Sequence, residues 1–271
     1  MRSGARQPAP QTSDFVWGEL CLALDWRNIA DIRRIGPKRE TCAEWMVMNS
    51  FLVILILIAI AAFAIFQYFA SQRRKKELSD LAGSWGFSWY GEDPFDIAGK
   101  YKAFHAVSRG HSPRAYDVFA GDRHGHETTC FDYRYTTGSG KSQSTHHLSG
   151  ALLRHGHPFP ELLVRPENLL DKLAEFVGFD DINFESAEFS RTFYVKSKDR
   201  KFAFDLFHAR AMEYMLAQPR RYALEFRGDT VLITDDSVWS PGEFEPAIAQ
   251  VEGLLELMPE YLKLALKDGS L

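Results

Sequence analysis

The chain has 271 residues, 45% of them hydrophobic and 25% charged, with a net charge of −4. That balance excludes a disordered polar tail and offers no electrostatic footprint for nucleic acid. The 14% aromatic content, with 21 Phe, implies a packed core, and Cys21, Cys42 and Cys130 show neither metal-knuckle nor disulfide spacing.

MRSGARQPAP opens the chain with no apolar run behind it, so it is not a signal peptide. From Asp14 to Arg34 the apolar residues Phe15, Leu20, Leu22, Leu24, Trp26, Ile29 and Ile32 form no clean stripe. Either this stretch is a short interfacial helix, or translation starts at Met46 or Met48 and residues 1–48 are an untranslated or disordered extension. The abrupt change of character at Met46 favours the late start. The run from Phe51 to Phe69 holds nineteen residues, with Gln67 as its one polar side chain. At about 1.5 Å per residue such a helix nearly matches a hydrocarbon core of about 30 Å. The lipid bilayer is therefore the expected partner of residues 51–69. Residues 49–86 are expected to form the transmembrane helix and a juxtamembrane stalk ending near Gly83 or Gly86. Arg73, Arg74, Lys75 and Lys76 follow the span as a stop-transfer cluster, placing the downstream domain on the cytoplasmic side of the plasma membrane. Cys130, the one cysteine beyond the span, fits a reducing compartment.

Residues 87–271 form the expected cytoplasmic domain, with a possible sub-boundary near Arg165. Ala115–Gly121 and Thr128–Tyr135 read as strands, the second alternating Phe131, Tyr133 and Tyr135 with polar residues. GDRHGHE is a turn between them, and TTGSGKSQS a hairpin tip. A strand is expected near His146–Arg154. Pro158, Pro160 and Pro166 then punctuate a short LLV strand. Asn168–Val177 is an amphipathic helix by the spacing of Leu169, Leu170, Leu173, Phe176 and Val177. Phe189–Val195 reads as a strand and Phe202–Ala217 as a helix. Tyr222–Phe226 and Thr230–Thr234 read as a hairpin around Arg227-Gly228-Asp229. Ile248, Val251, Leu255, Met258 and Leu262 mark a terminal helix that Pro259 kinks or splits. Helices and strands do not alternate, so the fold class is α+β: a mainly antiparallel sheet, or a partly closed barrel, covered by helices.

Eight of nine histidines lie between His105 and His157, and RHGH occurs twice. His124, His126, His155 and His157 are the candidate metal ligands, with Glu127 or Asp132 to complete a site. Gly125 and Gly156 suggest turns, where solvated histidines are the simpler expectation. Gly138–Ser142 imitates a phosphate loop, but Tyr135 stands where the first glycine should, and a strand rather than a helix follows. Cys130 on a strand is expected to be a half-buried packing residue rather than a nucleophile. Asp180-Asp181 and Asp235-Asp236 have the positions of turn carboxylates.

From about Trp85 onward, FDYRYTTGSGK, PELLVRPENLLDKL and FESAEFSRTFYVKSKDRKFA resemble a family of membrane-anchored bacterial proteins of unknown function. The resemblance implies an N-terminal span and a C-terminal cytosolic domain and carries over no catalytic residue; no cofactor is expected. The expected function is a single-pass anchored protein with a cytoplasmic binding or scaffolding domain and a protein partner. The rivals are a tethered metal-dependent enzyme using residues 105–157, and a lipid- or ligand-binding domain at the membrane surface.

Overall fold

The computed structural model describes residues 39–167 and 180–268. The predicted Asn168–Val177 helix and the Asp14–Arg34 stretch lie outside them. The chain divides into two compact units, residues 1–67 and 68–271.

One helix, α1 (Arg39–Ser84), belongs to both. Among the described residues it is the helix long and apolar enough to cross a membrane. From Phe51 to Phe69 its large apolar side chains are exposed all round, as a lipid-facing helix requires. Beyond Arg73 the pattern becomes one-sided. Leu78 and Ala82 are wholly buried, and Leu81 and Trp85 pack beside them. Gly86, at φ +72, then turns the chain.

The second unit is built on a seven-stranded sheet whose pairings are all antiparallel. Its strands are β1 (Ser88–Trp89), β2 (His111–Arg123), β3 (His126–Thr137), β4 (Ser144–Pro166), β5 (Asp180–Asp181), β6 (Phe193–Ser197) and β7 (Ala223–Thr234). The order is β1-β2-β3-β4-β6-β5, with β7 along the other side of β4. One face carries α1 together with α4 (Ala187–Thr192), α5 (Arg200–Leu206), α6 (Ala209–Ala217), α7 (Phe244–Glu256) and α8 (Glu260–Asp268). Their shared core is rich in phenylalanine, including Phe119, Phe189, Phe202, Phe207, Phe226 and Phe244. The other face carries Phe131, Tyr133, Tyr135 and Leu148 under the short helices α2 (Ile97–Lys100) and α3 (His105–Ser108). The mixed α+β class with an antiparallel sheet thus stands.

Several local expectations are corrected. Pro158 and Pro160 do not interrupt the chain: β4 is one strand of 23 residues. β3 pairs with it only as far as Arg154, and β6 only from Leu162, so the prolines fall where no ladder bond on that side is lost. β7 is likewise one strand rather than a hairpin. Gly228, at φ +56, lies opposite Phe159 between two register shifts, so both strands bend together. Phe189 belongs to α4, because Ser186 caps that helix by accepting from the Phe189 amide. The long helix expected over Phe202–Ala217 breaks at Phe207–His208, where the His208 ring bonds the Leu257 carbonyl at 3.0 Å. Pro259 does separate α7 from α8.

Candidate functional site

The most constrained polar group lies where α1 enters the domain. Arg74, Leu78 and Ala82 recur every four residues and share one helix face. Arg74 therefore points at the sheet. Its Nη2 and Nε donate to Asp132 Oδ2 at 2.7 and 3.0 Å, and its Nη1 donates to the Trp239 carbonyl at 2.7 Å. The Asp132 side chain is fully buried. Its second oxygen accepts from Ser149 Oγ at 2.5 Å, and Ser149 Oγ accepts from the Trp239 amide at 2.9 Å. Burial raises the Asp132 carboxyl above the usual range, against the opposing pull of Arg74 and Ser149. Trp239, itself fully buried, closes the group from the α7 side by packing on Tyr222 and Phe244. One member of the basic cluster that reads as a stop-transfer signal is thus an internal tie between the end of α1 and the sheet.

On the opposite face a second polar group is enclosed. Glu225 accepts the His105 amide with both oxygens, at 2.9 and 2.8 Å. Burial pushes its carboxyl up to about 7, while the amides of His105 and Ala106 hold it down. Arg165 is buried beside it, and Arg109 pairs with Asp236 at 2.7 Å. The cavity between His105, Arg165, Glu225 and Thr234 measures about 10 Å³, room for no more than a water. It ties α3 to β7 and cannot admit a substrate.

The histidines separate by strand register. His126 and His155 approach with their Nδ1 atoms 3.4 Å apart, and the His157 ring lies edge-on to His155 at 5.0 Å. His155 is stacked on Phe159, and burial lowers its ring to about 4. His124, at φ +51 in the β2–β3 turn, instead faces Glu252 at 3.2 Å. Glu127 is held by Arg154 at 2.7 Å. Asp132 stands six residues along β3 from His126, committed to Arg74, so it cannot complete a histidine site. Among the described residues no group of three or more His, Cys, Asp or Glu is arranged to hold a metal. Gly140–Ser142 is a short 3-10 turn at the β3–β4 tip, with Ser142 Oγ bonded to Ser139 O, not a helix N-terminus. Cys130 is fully rather than half buried, and burial pushes its thiol up, away from the thiolate a nucleophile needs. The Asp235 carboxylate bonds Trp239 Nε1 at 2.9 Å and Arg220 at 2.5 Å.

Neither a protein-family model nor a curated protein sequence matches the chain. Among solved structures, the mycobacterial trehalose monomycolate transport factor A, TtfA, is similar, with a TM-score of 0.53. The match covers 68% of this chain and 96% of that one, at 14% identity. At that identity the likeness is one of fold.

A buried ion pair with every oxygen engaged holds the end of an apolar helix against a sheet. Sequence inspection assigned all four basic residues one topological role. The signal that singles out Arg74 is its spacing with Leu78 and Ala82, which Arg73, Lys75 and Lys76 lack.

Proposed function

We propose that the chain is a single-pass, membrane-anchored accessory factor for lipid transport, whose domain binds a protein partner at the cytoplasmic face of the plasma membrane. The observation that carries this is α1: one unbroken helix continues from an exposed apolar run into a fold that resembles 96% of the solved chain of a trehalose monomycolate transport factor. A helix tied to its domain by Arg74–Asp132 transmits position better than a flexible linker does. The cluster at residues 73–76 supports the cytoplasmic side. The test is deletion of the gene with pulse-labelling of membrane lipids. Accumulation of a lipid on its side of synthesis is expected, with rescue by the full chain and not by a chain whose residues 51–69 are made polar. An unchanged lipid distribution overturns the reading, and extraction by alkaline carbonate overturns the anchor.

One distance favours a second reading, metal-dependent chemistry where the two RHGH motifs meet at His126 and His155. Two imidazole nitrogens 3.4 Å apart match the spacing of two ligands on a tetrahedral ion with bonds of about 2.0–2.1 Å. Metal analysis of the purified chain, with and without His126→Ala, decides it. No bound metal removes this reading.

A further inference from the structure

A row of basic side chains on β2, β3 and β4 lies on the side of the sheet toward which the residues of α1 before Arg74 run. Arg74 sits on Asp132 of β3, and eleven residues later Trp85 packs on Phe119 and under the Arg123 guanidinium, 4.8 Å away, beside the β2–β3 turn. Along this stretch α1 therefore runs opposite to β3. Followed backwards from Arg74 to Phe69, about 7–8 Å at helical rise, it leads toward the β3–β4 tip rather than away from the sheet. The residues it passes are those beyond Asp132. Arg134 is two positions further on β3 and so points to the same face. In the ladder Arg134 stands directly opposite Arg114 of β2 on one side and His147 of β4 on the other. Arg134 is exposed, and Arg114 is half exposed with the highly exposed Glu92 at 3.1 Å. His147 receives the Tyr116 hydroxyl contact at 3.1 Å. Lys141 lies exposed at the tip beyond them, and Lys76 is exposed on the helix. Between Asp132 and Glu161 the sequence contains no acidic residue.

Two arginines directly opposed on neighbouring strands destabilise a sheet, and an exposed glutamate at one end of the row compensates weakly. An anion seated between them removes the conflict. Guanidinium forks suit phosphate oxygens in particular. The apolar run of α1 ends at Phe69, five residues before Arg74, so where that run spans a bilayer the anion that follows next along the chain is the headgroup layer. We propose that Arg114, Arg134 and His147 form a binding site for the phosphate of an anionic lipid headgroup. The site deepens the anchored, lipid-related reading and rests on it. It would fix the rotation of the domain about α1 and make its seating sensitive to leaflet composition.

The test uses the full chain in detergent, titrated with phosphatidylglycerol or phosphatidylcholine and read by native mass spectrometry. Near an anionic surface each basic residue is worth about fivefold. The expected result is preferential retention of phosphatidylglycerol, lowered at least about fivefold in the Arg114→Gln/Arg134→Gln variant. Arg134→Lys, which keeps the charge, retains most of the preference. Because the double variant relieves like-charge repulsion, its melting temperature without lipid is expected to equal or exceed the parent's, which separates lost binding from lost fold. Equal retention of the two lipids, or a preference indifferent to both substitutions, overturns the site. Complete displacement of phosphatidylglycerol by millimolar inorganic phosphate overturns the lipid source in favour of soluble phosphate. Retention is measured without transport, so a failure here is distinct from a failure of the deletion experiment.

Discussion

At the β2–β3 turn the basic residues of the ribbon are matched. Arg123 reaches Glu245 and Glu252 at 3.2 and 3.3 Å, and Arg154 bridges Glu127 and Asp229 at 2.7 and 2.9 Å. At the β3–β4 end, Arg114 and Arg134 face each other with Glu92 on the outer side of Arg114. Between the two ends, Arg74 and Asp132 form a pair in which the carboxylate is wholly enclosed. The ribbon thus presents three regimes of the same chemistry: balanced at the turn, where the Arg154 pairs are exposed and Arg123–Glu252 is largely covered, enclosed around Asp132, and in basic excess at the β3–β4 end. In the interior pair the Asp132 carboxylate is the group that would be stranded without its partner, since Arg74 keeps some solvent and the Trp239 carbonyl. The excess at one end is the part of this pattern that an external anion would neutralise, as proposed above.

The comparison predicts its own ranking. Asp132→Ala takes the carboxylate partner from Arg74 and frees Ser149, and is expected to cost about 3–5 kcal/mol in denaturant unfolding. A loss below about 1 kcal/mol would show that the joint is ornamental. Glu225→Gln comes next, and its signature is pH dependence. The folded carboxyl titrates near 7 instead of 4.5, so the folded state holds this proton where the unfolded chain has lost it. The cost to stability is absent below about pH 4.5, grows as pH rises through that window, and reaches roughly 3 kcal/mol above pH 7. His105 and His155, both lowered to about 4, act the other way: acidification from about 6.5 to 4 destabilises the fold. The quantity to measure is therefore the difference between parent and variant from pH 4 to 8. It should move in favour of Glu225→Gln by that amount, and a flat difference would show Glu225 already ionised at pH 5.

Smaller effects sharpen the contrast. Gly228→Ala meets open space yet must adopt φ +56, so about 1 kcal/mol is expected from backbone strain alone. A cost several times larger would mean that the shared bend of β4 and β7 tolerates no adjustment. Arg154→Ala breaks two exposed pairs and should change stability by less than about 1 kcal/mol, shrinking with salt. If it matched Asp132→Ala, the distinction between surface and interior pairs would fail here.

Much of the local structure was legible because it depends on local rules. The Phe131–Tyr133–Tyr135 alternation read as a strand, and Pro259 as the end of a helix; both hold, though Thr128, Cys130 and Asp132 on the other face of that strand are buried as well. The misreadings share one cause. Pro158, Pro160 and Gly228 are breakers by propensity, yet each falls where neighbouring strands bend or exchange partners. Ser186 turned an apparent strand into a helix through a cap that competes with strand propensity. For the candidate site, the paired RHGH motifs drew attention by repetition, but register sent His124 to Glu252 and brought His126, His155 and His157 together. Arg74 and Asp132, 58 residues apart, carried no repeated motif at all.

What the sequence determined by itself is the apolar helix of residues 51–69, long and apolar enough to cross a membrane because a helix satisfies its own backbone without any other part of the chain, and the antiparallel α+β class that follows from short strands without alternating helices. Which charges are internal and which are left facing outward was decided only by tertiary structure. A charge's worth depends on what encloses it, and the groups that enclose Asp132 come from α1, β4 and the segment before α7.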